Sequence, residues 1–456
     1  MISPLRFYPP QAAQILMLYH QLQAFEQASP AQLLSVQQNQ LLSLLKHAET
    51  HSTFWQERLR AAGFDARSAN TRDAVDAFQR LPTLDRESLQ EHSMTMRAHW
   101  PGLDQRKLIV ASSSGSTGVP VRVEKDASTY MPLYSAISWQ EGLWHQRDPR
   151  LPIAVIGTGL QAAKAGSWGH MYSAMGLNGP SEVRAAESAS ISEHLDWLMA
   201  TRPAYLKCSP NLAAELAQCA LDRSVTLPLK HIISQWERVT PRHRELCQRA
   251  FSAPVVDRYS CEEAGWLALA CPHQSLHVTS ASVLLEIVDD NSQPCPPGVP
   301  GRVLITPLQS FAMPLIRYEL GDIAQWGNAC TCGLPMPVIG KLWGRVRHMI
   351  DTPDGRRIPM PFLGDELGKL PAIRSFRIQQ YQDGTLELLA ETAQPLTETE
   401  KTLINAIFAR NGLGSAPLLI RDQQQIHWGT TRKREEFVRV AGLASQQGAR
   451  YNPSHE

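Results

Sequence analysis

Between residues 153 and 257 short apolar runs alternate with segments that begin on a cap residue followed by proline. Ile153 to Ile156 closes on Gly157-Thr158-Gly159. Ser209-Pro210 opens a helix through about Leu221, and His231-Ile232-Ile233-Ser234 reads as a strand. Thr240-Pro241 opens another helix, and Pro254 to Asp257 reads as a further strand. Proline costs nothing at the first helical position, where its missing N–H would be unpaired anyway, so Ser-Pro and Thr-Pro mark helix starts. Strands that alternate with helices imply an α/β sheet that is at least partly parallel. In such sheets ligands sit beyond the carboxyl ends of the strands. Ser234 to Glu237 and Tyr259 to Glu263 both occupy that kind of position.

A second feature shares that placement. Ser112 to Pro120 is rich in hydroxyl groups and glycine, and lies between the apolar run Leu108–Ala111 and the β-like run Val119–Val123. Such a loop offers backbone N–H groups and hydroxyls to phosphate oxygens, with glycines that allow close approach. It also reads as a flexible turn. It lacks the terminal Gly-Lys-Ser/Thr of a Walker loop.

The rest of the chain sets bounds. Its 456 residues suffice for two to four domains, on a prior of about 150 residues each. A formal net charge of +1 with scattered basic residues supplies no electrostatic case for nucleic acid or a membrane surface. There is no run of about 18 apolar residues, and the N-terminus lacks the pattern of a signal peptide. Eight cysteines in a chain without a secretory signal suit a reduced, cytoplasmic compartment, where close cysteines are ligands more often than disulfides. Ser29-Pro30 starts an amphipathic helix with Leu34, Leu41, Leu45 and Ala48 at helical spacing, expected to run towards Gly63. The Phe54-Trp55 pair reads as core. Val283–Val288 and Val303–Ile305 flank a Pro-Pro-Gly turn at 296–298. After Gly344-Arg345 the character changes: Phe376–Tyr381 and Thr385–Ala390 read as a hairpin about Asp383-Gly384. Thr397-x-x-Glu400 is a capping box for a helix that ends at Asn411-Gly412.

Five spaced segments agree on one family. They are Ser-Ser-Gly-Ser-Thr-Gly-x-Pro at 113–120, Asp-Arg-Tyr-Ser-Cys-Glu-Glu-Ala-Gly at 257–265, and Met-Pro-Leu-Ile-Arg-Tyr-x-x-Gly-Asp at 313–322. Gly344-Arg345 and a basic segment around Lys433 complete the set. In this order and spacing the chain resembles the acyl-adenylate-forming superfamily, in the branch similar to phenylacetate–coenzyme A ligases. The resemblance implies an α/β fold: a large N-terminal adenylate-forming domain with partly parallel sheets, residues 1–345, plus a small, mobile α+β C-terminal domain, residues 346–456.

It also implies a chemistry. A carboxylate attacks the α-phosphate of ATP and expels pyrophosphate, so donors and cations are needed where negative charge builds. By resemblance Ser113, Ser114, Gly115, Ser116, Thr117 and Gly118 hold the phosphates. Glu263 holds Mg²⁺, Tyr259 flanks the adenine, Asp322 takes the ribose hydroxyls, and Glu237 and Arg345 also serve the nucleotide. Lys433 falls where the family has its catalytic lysine, although Arg432 replaces the usual preceding glycine; a basic surface turn is the other reading. Trp168, His170, Tyr172 and Ser209 would line the acid pocket; aromatic and small residues together suit a planar aryl acid, and core packing explains them equally well. Arg347 stands where the family often has a hinge aspartate.

Cys271, His277, Cys330 and Cys332 form a set suited to structural zinc, with His273 as the alternative nitrogen ligand and buried free cysteines as the other reading. The leading expectation is therefore an ATP-dependent ligase that activates an aryl carboxylic acid and passes it to coenzyme A, as a monomer or homodimer. An amine, hydroxyl or carrier-protein thiol is the alternative acceptor, and a non-catalytic nucleotide-binding protein is the third reading.

Overall fold

The computed structural model describes residues 9–113, 121–345, 349–426 and 436–440. The alternating segment forms a six-stranded sheet in the spatial order 163–165, 181–185, 153–157, 205–208, 231–234, 255–256. All neighbours run parallel except the first pair. Each strand divides its side chains between two faces. Ala154, Ile156, Leu206, Cys208 and Ile232 enter the core beneath helices 191–201, 210–222 and 241–251. Ile153, Val155, Tyr205 and Ile233 face the other way. Ser209 and Thr240 cap their helices as their Ser-Pro and Thr-Pro pairs predict, their hydroxyls accepting from Leu212 N and His243 N at 3.3 Å.

A seven-stranded sheet carries the remaining large core, in the order 283–288, 301–307, 318–326, 338–345, 276–278, 265–270, 258–261. The Val283–Val288 and Gly301–Pro307 strands pair antiparallel about the Pro-Pro-Gly turn. Strands 108–113 and 121–126 form an antiparallel pair closing at Ser113 and Val121. The hydroxyl-rich loop therefore spans the open end of a hairpin, although residues 114–120 themselves lie outside the described residues.

The first expected helix is two. Pro30–His51 ends and Thr53–Ala61 begins at Ser52, whose amide still bonds Ala48 O while its side chain accepts from Trp55 N. Its hydroxyl also donates to Thr95 O at 3.0 Å. Leu34 is exposed and Leu33 takes the core position in its place, while Leu41, Leu45 and Ala48 are buried as expected. Trp55 is fully buried, and its indole N–H donates to Pro314 O at 2.8 Å. That bond ties the amino-terminal helices to the segment carrying Asp322.

Residues 350–437 enclose a core of their own, between a four-stranded sheet and helices 361–367 and 398–408. The hairpin 373–381/386–392 and the Thr397–Glu400 capping box both form. Asp365, on helix 361–367, accepts from both terminal nitrogens of Arg238 at 3.0 Å and pairs with Lys341 at 2.6 Å. Burial pushes the Asp365 carboxyl up, but the two cations outweigh it and hold it below its ordinary value. Its stabilisation is then complete above the unfolded carboxylate pKa of about 3.9 and is lost as pH falls through the lower folded value. Asp365→Ala leaves Arg238 and Lys341 without their shared partner. We expect it to cost about 1–3 kcal/mol at pH 7 and nothing measurable near pH 2, by denaturant unfolding at the two pH values. Equal losses at both would remove the ion pair as the cause.

Candidate active site

Ser234–Glu237 follows the 231–234 strand, and Asp257-Arg258-Tyr259 follows the 255–256 strand, so both lie at the carboxyl edge of the parallel sheet. Glu237 accepts from Asn211 Nδ2 at 2.8 Å, and Asn211 Oδ1 bonds His243 Nε2 at 3.2 Å. His243 Nδ1 accepts from Thr240 N at 3.1 Å, which makes Nε2 the protonated nitrogen. Burial pushes this imidazole down to about 3, so it stays neutral at physiological pH and Glu237 is held by a fixed donor chain. Trp236 adopts φ +75°, a left-handed conformation costly for a bulky side chain, and leaves its indole half exposed against Gly157.

Tyr259 and Asp322, 63 positions apart, meet: the phenol donates to Asp322 Oδ2 at 2.8 Å. Their strands are four places apart in the sheet order, so curling of the sheet brings them together. Asp322 pairs with Arg345 in the backbone register, which places three of the expected nucleotide residues in one locality. The Arg345 side chain and Lys433 lie outside the described groups, as do residues 114–118 and the side chain of Ser113.

Glu263 is 7% exposed, on a turn that the following Gly265 closes with φ +85°. A Cβ on Gly265 would approach Tyr130 Oη to 2.9 Å, so only glycine seats this turn. Glu263 lines a cleft of about 540 Å³, open mouth included, with Lys125, Tyr130, Tyr134, Trp266 and Ser310 among its other walls. The Lys125 ammonium donates to Glu262 O and lies 4.1 Å from the Tyr130 ring centre. Burial pushes its pKa down. Lys125 escaped the sequence analysis; the signal was an inward-facing lysine in the Val121-x-Val123-x-Lys125 alternation.

Of the acid-pocket residues, Trp168 and Tyr172 pack edge to face with centres 5.5 Å apart, and Trp168 also meets Tyr205 at 5.0 Å. His170 is exposed at the start of a five-residue helix, unlike the lining residue expected. The Ser209 hydroxyl is engaged as a helix cap.

Cys271, His277, Cys330 and Cys332 converge, with their ligand atoms all within 4.8 Å of one another. Cys271 Sγ is 3.7 Å from Cys330 Sγ, and Cys332 Sγ is 3.3 Å from His277 Nε2. His277 Nδ1 lies 3.1 Å from Met336 O, a contact that needs the proton on Nδ1 and leaves the Nε2 lone pair facing the thiols. His273 instead bonds Thr331 Oγ1 at 3.0 Å and is outside the cluster.

No family model matches the chain. It is 23% identical over 378 residues to the phenylacetate–coenzyme A ligase of Thermus thermophilus, covering 79% of this chain and 82% of that enzyme. It superposes on a 2-hydroxyisobutyryl-CoA ligase in its postadenylation state with TM-score 0.74, at 18% identity over 91% of each chain. Against the same ligase in its thioesterification state the TM-score is 0.58, at 20% identity over 91% of each. An anthranilate CoA ligase bound to anthranoyl-AMP gives 0.53 at 16% identity, over 72% of this chain and 65% of that one. The fold is that of these coenzyme A ligases, and the sequence alignment spans most of the chain. The chain is thus similar in sequence to a phenylacetate–coenzyme A ligase and in fold to a 2-hydroxyisobutyryl-CoA ligase.

Proposed function

We propose that the chain activates an aromatic carboxylic acid as its acyl-AMP, releases pyrophosphate, and transfers the acyl group to coenzyme A. The Tyr259–Asp322 hydrogen bond carries this reading, because it joins two nucleotide motifs that the sequence keeps far apart. Asp322 can accept from a pair of ribose hydroxyls while Tyr259 offers its ring to the adenine. Glu263, a carboxylate on a rigid turn, suits a hydrated Mg²⁺ that also binds phosphate oxygens. The ion would neutralise charge on the departing pyrophosphate. The serines and glycines of 113–118 would bind the phosphates, and Lys433 would bring a mobile positive charge to the carboxylate and α-phosphate oxygens. Trp168 and Tyr172 supply the aromatic surface that favours an aryl acid.

The Cys271–His277–Cys330–Cys332 cluster is proposed to hold a structural Zn²⁺. Three sulfurs and one nitrogen complete a tetrahedron with no open position, and the 3.7 Å sulfur separation suits Zn–S bonds of about 2.3 Å. Residues 346–456 are proposed to turn as a unit between the two half-reactions.

One feature favours a different acceptor: Arg347 replaces the hinge aspartate expected from the resemblance, so the acyl group could go to an amine, a hydroxyl or a carrier-protein thiol. Product masses with and without coenzyme A decide between the two. For the first half-reaction, Lys433→Ala should abolish acid-dependent pyrophosphate release across an aryl-acid panel while ATP still binds. Turnover at the wild-type rate would sink the assignment.

A further inference from the structure

Lys207 stands in the strand Tyr205-Leu206-Lys207-Cys208, in register with Val155 on one side and Ile233 on the other. Alternation puts it on the face of Tyr205, away from the helix-covered core that takes Leu206 and Cys208. Val155, Ile233 and Tyr205 pack there with Trp168, which itself meets Tyr172. The ammonium is therefore laid against the aromatic surface assigned above to the acid.

No carboxylate answers it. Among the described residues Lys207 has neither a hydrogen bond nor an ion pair; the charges it feels are Arg258 and Glu141. Glu141 is fully buried and already committed to two guanidinium groups, with Arg147 Nη2 at 2.6 Å from Oε1 and Arg258 on Oε2. Those cations outweigh burial and hold the Glu141 carboxyl well below the usual carboxylate range. The nearby imidazoles do not add negative charge: burial pushes His231 down to about 4 and lowers His145 as well, leaving both neutral. Three cations thus lie about one carboxylate, and Lys207 itself stays partly accessible. Burial and Arg258 push the Lys207 amine down to about 8, which still leaves it mostly protonated at pH 7. Tyr172 contributes a second unsatisfied group, since its hydroxyl has no hydrogen-bond partner among the described residues while burial pushes its pKa up. Both residues are partly accessible, so a ligand can reach them and supply the missing acceptor.

We propose that Lys207, with Tyr172 beside it, binds a second acceptor on the acid, remote from the carboxylate that is activated. The substrate class is then a hydroxylated aryl acid or an aryl dicarboxylic acid, not a plain one. This rests on the acid-activation reading above and adds the identity of the acid's far end. An ammonium beside an aromatic surface rejects an unsubstituted ring, because binding such a ring strips water from the cation and leaves it unpaired.

The test uses the full chain and two readouts. ATP–pyrophosphate exchange is measured with benzoate, phenylacetate, 3- and 4-hydroxybenzoate, 4-hydroxyphenylacetate and terephthalate. Thermal shift is measured with the same acids in the absence of ATP. Wild type should favour at least one hydroxy or dicarboxylic acid over its unsubstituted parent by about a hundredfold or more in kcat/KM. Lys207→Met should collapse that ratio at least tenfold, with a melting temperature at or above wild type, because a surplus buried charge is removed. Lys207→Arg should restore part of the ratio. The hydroxy and dicarboxylic arms separate the two sources of the acceptor. Equal loss with benzoate would mean that Lys207 meets the reacting carboxylate, and an unchanged ratio would mean that it meets no substrate; either overturns the proposal. A melting temperature well below wild type, with the ratio intact, would assign Lys207 to packing alone. If no acid supports exchange but Lys207-dependent thermal shifts persist, the activation reading fails and this one stands.

Discussion

Glu263→Gln is expected to slow acid-dependent pyrophosphate release by about a hundredfold or more, the range found when one charge-stabilising group is removed from a closed site. The substitution is isosteric, and the surrounding turn is set by Gly265 against Tyr130 and by Lys125 on Glu262 O, neither of which uses the Glu263 carboxylate. The fold should therefore persist, with a melting temperature within a few degrees of wild type. What is lost is a buried negative charge at the proposed Mg²⁺ site, so Mg²⁺ should bind more weakly and the Mg²⁺ dependence of turnover should move to higher concentration. Steady-state pyrophosphate release over a Mg²⁺ titration reads both effects. A wild-type rate at low Mg²⁺ would move the metal away from Glu263.

Removing a metal from the proposed Cys271–His277–Cys330–Cys332 site has the largest expected effect on stability. Cys271 and His277 bracket the turn between strands 265–270 and 276–278, and Cys330 and Cys332 follow the strand 318–326 that carries Asp322. A metal there would join the far ends of the strands behind both nucleotide motifs. Structural zinc in small domains supplies on the order of 10 kcal/mol. In a chain with large cores of its own, a loss of several kcal/mol is expected. Cys271→Ser or strong chelation should therefore lower the melting temperature by roughly 5–15 °C and raise the KM for ATP, because Tyr259 and Asp322 lose their common anchor. Metal analysis of the purified chain should return close to one equivalent of zinc. Less than half an equivalent, or no thermal response to chelation, would leave the four residues as a thiol cluster without a metal.

Several elements were legible because their causes are local. The strands at 153, 231 and 255 and the helices at Pro210 and Pro241 lie within a residue or two of their sequence reading, since apolar runs and cap residues act on their own neighbours, whereas the strand at 205 was not read. The break at Ser52 was not legible. Nothing in helical spacing forbids a continuous helix there; the turn is held by Thr95 O and by Trp55 reaching Pro314, partners supplied by folding. Leu34 misled for a related reason: Leu33 and Leu34 are equally apolar, and only packing chooses between them. The motifs named Tyr259, Glu263 and Asp322, but Lys125, Glu141, Arg147 and Lys207 carry no motif and were missed, and Arg258, inside the 257–265 motif, was given no role. The aromatic signal at 168–172 was read whole, whereas His170 proved exposed and the Ser209 hydroxyl was taken by its helix.

By itself the sequence determined the parallel α/β layer, the order of the motifs and the three sulfur donors with two candidate histidines, because periodicity, capping and spacing are properties of short stretches. Tertiary structure alone decided that Tyr259 touches Asp322, that His277 and not His273 joins the three thiols, and that Arg147 and Arg258 share the one buried carboxylate of Glu141. Such outcomes depend on which strands curl towards each other and on which charges lose their water together. No local pattern records either.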